Sequence, residues 1–375
     1  MVSHKNFIIL KLLMVIFVFH FTAHLRAEDA VKKDPYEEYV KTSKDFKRVS
    51  QSPEICWKQW PEWTYMPWYY KWSIGFDDNA GKFCADNGYN GAFIDHGQAE
   101  RLGWMNKNKL RFYMDHTAGK GHLYVKDSNR TKPEDSSAVK NRDPMIDDDL
   151  FKKLQGIMSH HIGNVKSSPY RAAYALDDEL SWGSFVKPCM WKIAGDEKYR
   201  AWLEENYGKG NAPANEGWIS YNDIREKITA STLGDINCSQ LMDQLTFNDS
   251  HWNNFIGDLV EYGNTIDADV PVGFVGGQTP DAFGGYDYAK VMRKVQFLEA
   301  YNLGGSQAVI RSFNPNGIPT VTTHFFNRRA ADAVADTVWQ TWYYLAHGNR
   351  GHIGWVEGWF NGKTPESWHA KVGVH

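Results

Sequence analysis

The sequence predicts a (β/α)8 barrel on three observations: short apolar runs alternate with helical stretches, each run ends in polar residues, and the alternation repeats eight times. Its 375 residues suffice for one large barrel or two ordinary domains. No Gly-x-Gly-x-x-Gly follows a run, so no dinucleotide site and no cofactor is expected.

The central stretch is Arg171 to Gly183, where the apolar run Tyr174-Ala175-Leu176 ends in Asp177, Asp178 and Glu179. Three carboxylates cannot be buried together as ions without large pKa shifts, so they are expected at a mouth rather than in a core. The C-terminal strand ends of a parallel barrel form its active face, which makes Glu179 a candidate general acid.

Taken in order, residues 1–27 read as a secretory signal: His4 and Lys5 lead into the apolar run Leu12 to Phe19, and Ala23 and Ala27 follow. The protein is therefore expected to be secreted or periplasmic, with no membrane contact once the signal is removed. Residues 28–65 form a lead-in, charged and without apolar periodicity as far as Val49, and the barrel is expected over 66–375. Strand one is placed at Trp72 to Phe76, strand two at Gly91 to Ile94 before Asp95-His96, and strand three at Leu110 to Met114 before Asp115-His116. Leu150, Phe151, Leu154, Ile157 and Met158 give helical spacing within Asp148 to Ile162.

After strand four an insertion spans about 184–248 and carries a helix ended by Gly208. A helix from His251 to Asn264 precedes strand five, Val270 to Val275. The helix Tyr288 to Lys294 precedes strand six, Val295 to Leu298, which ends at Glu299. Strand seven, Ile318 to Thr322, leads to His324; a helix spans Ala330 to His347; strand eight, His352 to Val356, ends at Glu357. No convincing eighth helix comes after it, so either the chain is incomplete at its C-terminus or Thr364 to His375 forms a truncated closing helix.

A net charge of -3 and the lack of a long Lys/Arg run argue against nucleic acid as a partner. Aromatics make up 15% of the chain, with 16 Trp, more than packing alone requires. Indole faces suit the C–H surfaces of sugars, so Trp182, Trp355 and Trp359 are stacking candidates for an oligo- or polysaccharide. Cys56, Cys84, Cys189 and Cys238 form no Cys-x-x-Cys pair, and three disulfide pairings remain open.

Several segments carry a family resemblance: Asp178-Glu179; Trp202-Leu203 with Tyr207-Gly208, Asn215, Trp218 and Tyr221; Asp287-Tyr288-Ala289-Lys290; and Leu345-Ala346-His347-Gly348. Spread over roughly residues 70 to 360, they resemble the catalytic barrel of glycoside hydrolase family 42, the β-galactosidase-like group. The resemblance implies a β-galactosidase-like glycosidase with Glu179 as acid/base. The chain departs from the family pattern twice. Asp178 replaces the Asn that would bind a sugar hydroxyl, and Thr320-Val321-Thr322-Thr323-His324-Phe325 holds no carboxylate where the nucleophile belongs.

Glycoside hydrolysis needs a second carboxylate, about 5 Å from the acid for retention and roughly 6.5–9.5 Å for inversion. Glu357 is preferred because it lies between tryptophans and glycines; Glu299 is the other candidate, unless Arg311 pairs with it. Asp95, His96, Asp115, His116 and His324 would converge on the same face to bind sugar hydroxyls. That set could instead hold a divalent metal, but strand one lacks the His-x-His of metal-dependent amidohydrolases, so no metal is expected. A third reading is a glycan-binding barrel that lost its nucleophile.

Overall fold

The computed structural model describes residues 56, 58–68, 78–86, 88–96, 99–123, 149–180, 196–211, 239–278, 287–303, 305–314, 317–325 and 333–355, with Lys41 and Ser43. The chain divides after Lys47 into two units, and the barrel belongs to the second, Arg48–His375. Its elements are β1 (Thr64–Trp68), α1 (Asp78–Asp86), β2 (Gly91–Asp95), α2 (Ala99–Asn108), β3 (Arg111–Asp115), α3 (Leu150–Val165), β4 (Arg171–Asp178) and α4 (Asp196–Tyr207). Then come α5 (Ser239–Ile266), β5 (Val272–Gly277), α6 (Tyr288–Lys294), β6 (Phe297–Ala300), α7 (Ser306–Ser312), β7 (Thr320–His324), α8 (Ala333–Ala346) and β8 (Gly351–Trp355). All eight strands run parallel in the order β1-β8-β7-β6-β5-β4-β3-β2, a (β/α)8 barrel.

The ends of that order, β1 and β2, meet without a full backbone ladder, and Pro67 supplies the reason. Thr64 N–H donates toward β8, to Arg350 O, whereas Tyr65 N–H points the other way, toward β2. Alternation puts Pro67 on the β2 side as well, where it has no N–H to give. Asn90 bridges the gap: its Oδ1 accepts Tyr65 N–H at 2.8 Å, and its Nδ2 donates to Trp63 O at 2.7 Å. Gly91 permits this approach, since a Cβ there would lie 2.6 Å from Thr64 Cγ2.

Two apolar layers result. The outer one, between strands and helices, includes Leu154, Met158 and Ile162 of α3 and Ile256, Leu259 and Val260 of α5. The inner one holds Met66, Phe93, Tyr113, Ala173, Ala175, Val275 and Phe297. Trp60 plugs the N-terminal mouth, stacked on Phe297 at 5.4 Å with its Nε1 donating to Ala172 O at 3.1 Å. Cys56 and Cys84 are buried, and burial pushes both thiols up to about 12.

The structure corrects several expectations. The first barrel strand is Thr64–Trp68, which begins two residues before the expected barrel boundary; Trp72 to Phe76 lies outside the described residues. Helix α5 begins at Ser239, so the end of the expected insertion belongs to a barrel helix. Helix α7 went unseen because it is short and polar side chains share its buried face with Ile310: Gln307 Nε2 donates to Ala300 O and Thr322 Oγ1. The expected signal, most of the lead-in and insertion, and Thr364 to His375 lie outside the described residues, as do Cys189 and Cys238. No helix among the described residues is long and apolar enough to cross a membrane.

Asn90→Ala removes two hydrogen bonds at the seam and should destabilise the barrel by about 2–3 kcal/mol in urea titration, with Asn90→Asp intermediate because it keeps the acceptor.

Candidate active site

At the C-terminal mouth an open cleft is lined by Tyr113, Asp115, Asp178, Val275, Glu299, Tyr301, Thr323 and Ile353. The way β4 reaches this cleft depends on an irregularity. Ala173 and Ala175 face the barrel interior, so strict alternation would send Asp177 inward and Asp178 away. Between Ala175 and Asp178 the register with β5 shifts, three residues of β4 spanning two of β5, and Asp178 turns into the cleft.

Asp177 is buried instead of lying at the mouth, contrary to the expectation for the three carboxylates. Its Oδ2 accepts Gly121 N–H at 3.0 Å and Leu123 N–H at 3.2 Å, and its Oδ1 accepts Asp178 N–H at 2.9 Å. Burial raises its carboxyl to about 7, with these N–H donors opposing the rise. Asp178 rises to about 6, through burial and then the charge of Glu179, with Lys120 offsetting part of it.

Three strand ends share one backbone device. His96, His116 and Glu179 directly follow the last residues of β2, β3 and β4, and each is left-handed, with φ of 53°, 51° and 51°. For residues with a Cβ this costs of order 1–2 kcal/mol each, and such strain gathers where side chains must be aimed. Glu179 is half-buried at the edge of the cleft, its Oε1 accepting the Tyr301 hydroxyl at 2.9 Å.

Glu299 lines the same cleft from β6 and is 1% exposed. Its Oε2 accepts Gly276 N–H at 2.5 Å, while Oε1 has no hydrogen-bond partner among the described residues. Burial raises its carboxyl to about 8, against the Gly276 N–H and the neighbouring Thr323, which pull it down. Arg311 is not its counter-ion, since that guanidinium donates to Ala346 O at 3.0 Å. Gly276 separates the two glutamates: φ is 69°, and a Cβ would lie 2.4 Å from Asp178 Oδ1 and 2.5 Å from Glu179 N.

Asp95, His96, Asp115 and His116 do come together. Asp95 Oδ1 lies 2.5 Å from His96 Nδ1 and 2.6 Å from His116 Nδ1. Burial pushes the Asp95 carboxyl up, but the two imidazoles outweigh it and hold it below the usual carboxylate range. Burial keeps His116 below its ordinary value, against the pull of Asp95. Asp115 is driven well up by burial and then by Asp178 and Asp177.

His324 does not join this set. Thr323 takes the cleft-facing position of β7, and the next residue points outward, where His324 bonds Gln340 at 2.9 Å and Thr337 at 3.1 Å on α8. Trp182, Glu357 and Trp359 lie outside the described residues; Trp355 ends β8, but its side chain is not described. Sequence reasoning passed over Tyr301, although the i, i+2 spacing from Glu299 at a strand end is the signal that puts both in one cleft.

The fold is a (β/α)8 barrel. No family model and no curated protein matches the sequence. The chain is similar in structure to Gan42B, a GH42 β-galactosidase, at TM-score 0.55 and 11% identity over 88% of this chain and 57% of that one. It is also similar to the cold-adapted β-galactosidase of Rahnella sp. R3, at TM-score 0.57 and 11% identity over 84% and 56%. The likeness at that identity is one of fold, and the chain spans a little over half the length of either neighbour.

Glu299 holds its proton in the folded state up to about pH 8, against an ordinary 4.5, so the stability it confers is full below 4.5 and lost as pH rises to about 8. Melting of wild type and Glu299→Gln across this range should show the variant gaining steadily, by up to roughly 3 kcal/mol at pH 7. A difference that does not change with pH would mean an ionised Glu299.

Proposed function

We propose that the protein is an exported glycoside hydrolase that cleaves O-glycosidic bonds of an oligo- or polysaccharide, β-galactosidase-like in specificity, with Glu179 as general acid/base. The observation that carries the reading is that Glu179 and Glu299, from the ends of β4 and β6, approach one cleft across Gly276 and Tyr301. Two carboxyl groups at the mouth of a parallel barrel are what glycoside hydrolysis requires.

Glu179 protonates the leaving oxygen, oriented by the Tyr301 hydroxyl on Oε1. Glu299 is the second carboxylate, attacking the anomeric carbon or activating water through Oε1, while Gly276 N–H holds Oε2. It must first release the proton it holds up to about pH 8. The leader-like residues 1–27 support export.

Hydrolysis of an aryl-glycoside and oligosaccharide panel by wild type, Glu179→Gln, Glu299→Gln and Glu357→Gln tests this. Glu179→Gln and Glu299→Gln should each lose about 10²–10⁴-fold in kcat/KM, while Glu357→Gln stays near wild type. Loss in Glu357→Gln with Glu299→Gln active would move the second role to Glu357. Saturable sugar binding without turnover would make the protein a glycan-binding barrel, the reading favoured by Thr323 at the cleft position of β7.

A further inference from the structure

Beside the glutamate pair, the ends of β3 and β4 bring together buried side-chain atoms of metal-ligating type, two of them without a hydrogen-bond partner among the described residues. His116 is 1% exposed, and its Nδ1 is taken by Asp95 Oδ1 at 2.6 Å. A neutral imidazole that donates from Nδ1 presents a bare lone pair at Nε2. That Nε2 has no hydrogen-bond partner among the described residues, and it faces Asp115 Oδ2 at 3.7 Å. Asp115 Oδ2, also in a residue 1% exposed, has none either. Asp178 offers a third atom, and the ligand atoms of the three residues all lie within 4.8 Å of one another.

Facing acceptor atoms buried without a hydrogen bond of good geometry are costly, and a proton on Asp115 or a cation at their centre lowers that cost. Two ligands on a tetrahedral ion, each about 2.0–2.1 Å from it, lie about 3.3 Å apart, so the 3.7 Å gap must close by only a few tenths of an ångström. The surroundings match those of a metal-binding imidazole. Asp95 fixes the tautomer and the ring, as carboxylates do behind such histidines. Asp177, anchored by three backbone N–H groups, places another carboxylate oxygen 3.8 Å from Nε2.

We propose that Asp115, His116 and Asp178 bind one divalent transition-metal ion, Zn²⁺ or Mn²⁺, with Asp95 as the positioning residue behind His116. One imidazole and two carboxylates suit these ions better than Ca²⁺ or Mg²⁺, which favour all-oxygen sites, or Cu⁺, which favours sulfur. Asp115 and Asp178 line the cleft, so the open positions of the ion face a bound substrate and can take its hydroxyl oxygens. This last role rests on the glycosidase reading; the ion site itself does not.

The test is calorimetric titration of the chelator-treated full chain with Zn²⁺ and Mn²⁺ in the absence of sugar, with metal analysis after dialysis. One equivalent should bind at micromolar or tighter affinity and raise the melting temperature. Asp115→Asn, near-isosteric, should fold and lose at least tenfold in affinity, as should Asp178→Asn. Asp95→Asn should lose about 10–100-fold through the misdirected imidazole. Co²⁺ loaded into the wild-type chain should give the d–d bands of a nitrogen- and oxygen-ligated ion, a readout that needs no variant. No binding of either ion by the wild type, or binding unchanged in both Asp115→Asn and Asp178→Asn, would overturn the proposal. Metal bound by a protein inactive on every glycoside would leave the site standing and remove the glycosidase; activity without metal affinity would do the reverse.

Discussion

The geometry of the cleft depends on how little room there is at Gly276. Its N–H holds Glu299, its Cα lies against Asp178 and Glu179, and its left-handed φ allows β5 to carry an extra residue relative to β6. A side chain there would push β4 and β6 apart, and the two glutamates with them. A backbone contact therefore sets the separation of the two carboxyl groups, the quantity on which the proposed chemistry depends.

Charge is the second organising force. Asp95, Asp115, Asp177, Asp178, Glu179 and Glu299 are gathered on the ends of β2, β3, β4 and β6; Asp115, Asp177 and Glu299 are buried, and Asp95 is tied to two imidazoles. Like charges at low dielectric cannot all ionise, so protons or a cation must be taken up. Left-handed residues after β2, β3 and β4 allow this crowding, because they turn His96, His116 and Glu179 sharply at the strand ends. The strain is offset by the eight-strand frame beneath, whose two apolar layers hold the ends rigid.

Legibility in the sequence followed how local each signal was. Strands two to eight and helix α6 were legible from apolar runs and punctuation, and Tyr288–Lys294 matched residue for residue. Strand one was misplaced because Pro67 marks a run as a poor strand; its missing N–H falls at a seam that Asn90 bridges instead. Helix α7 is only seven residues long and buries Ser306 and Gln307 beside Ile310, so no hydrophobic period announced it. Arg311 looked like a partner for Glu299 by composition alone, yet it reaches a carbonyl of α8.

By itself the sequence determined the barrel, the order of its strands and the strand-end polar residues, since these arise from patterns a few residues long. It also singled out Asp178, Glu179, Glu299, Asp95, His96, Asp115 and His116. The tertiary structure alone decided which of them meet. One extra residue in β4 brings Asp178 rather than Asp177 into the cleft, and strict alternation in β7 sends His324 outward while Thr323 faces inward. A side chain's direction at a strand end depends on register with its neighbours, and register arises from contacts among strands distant in the chain.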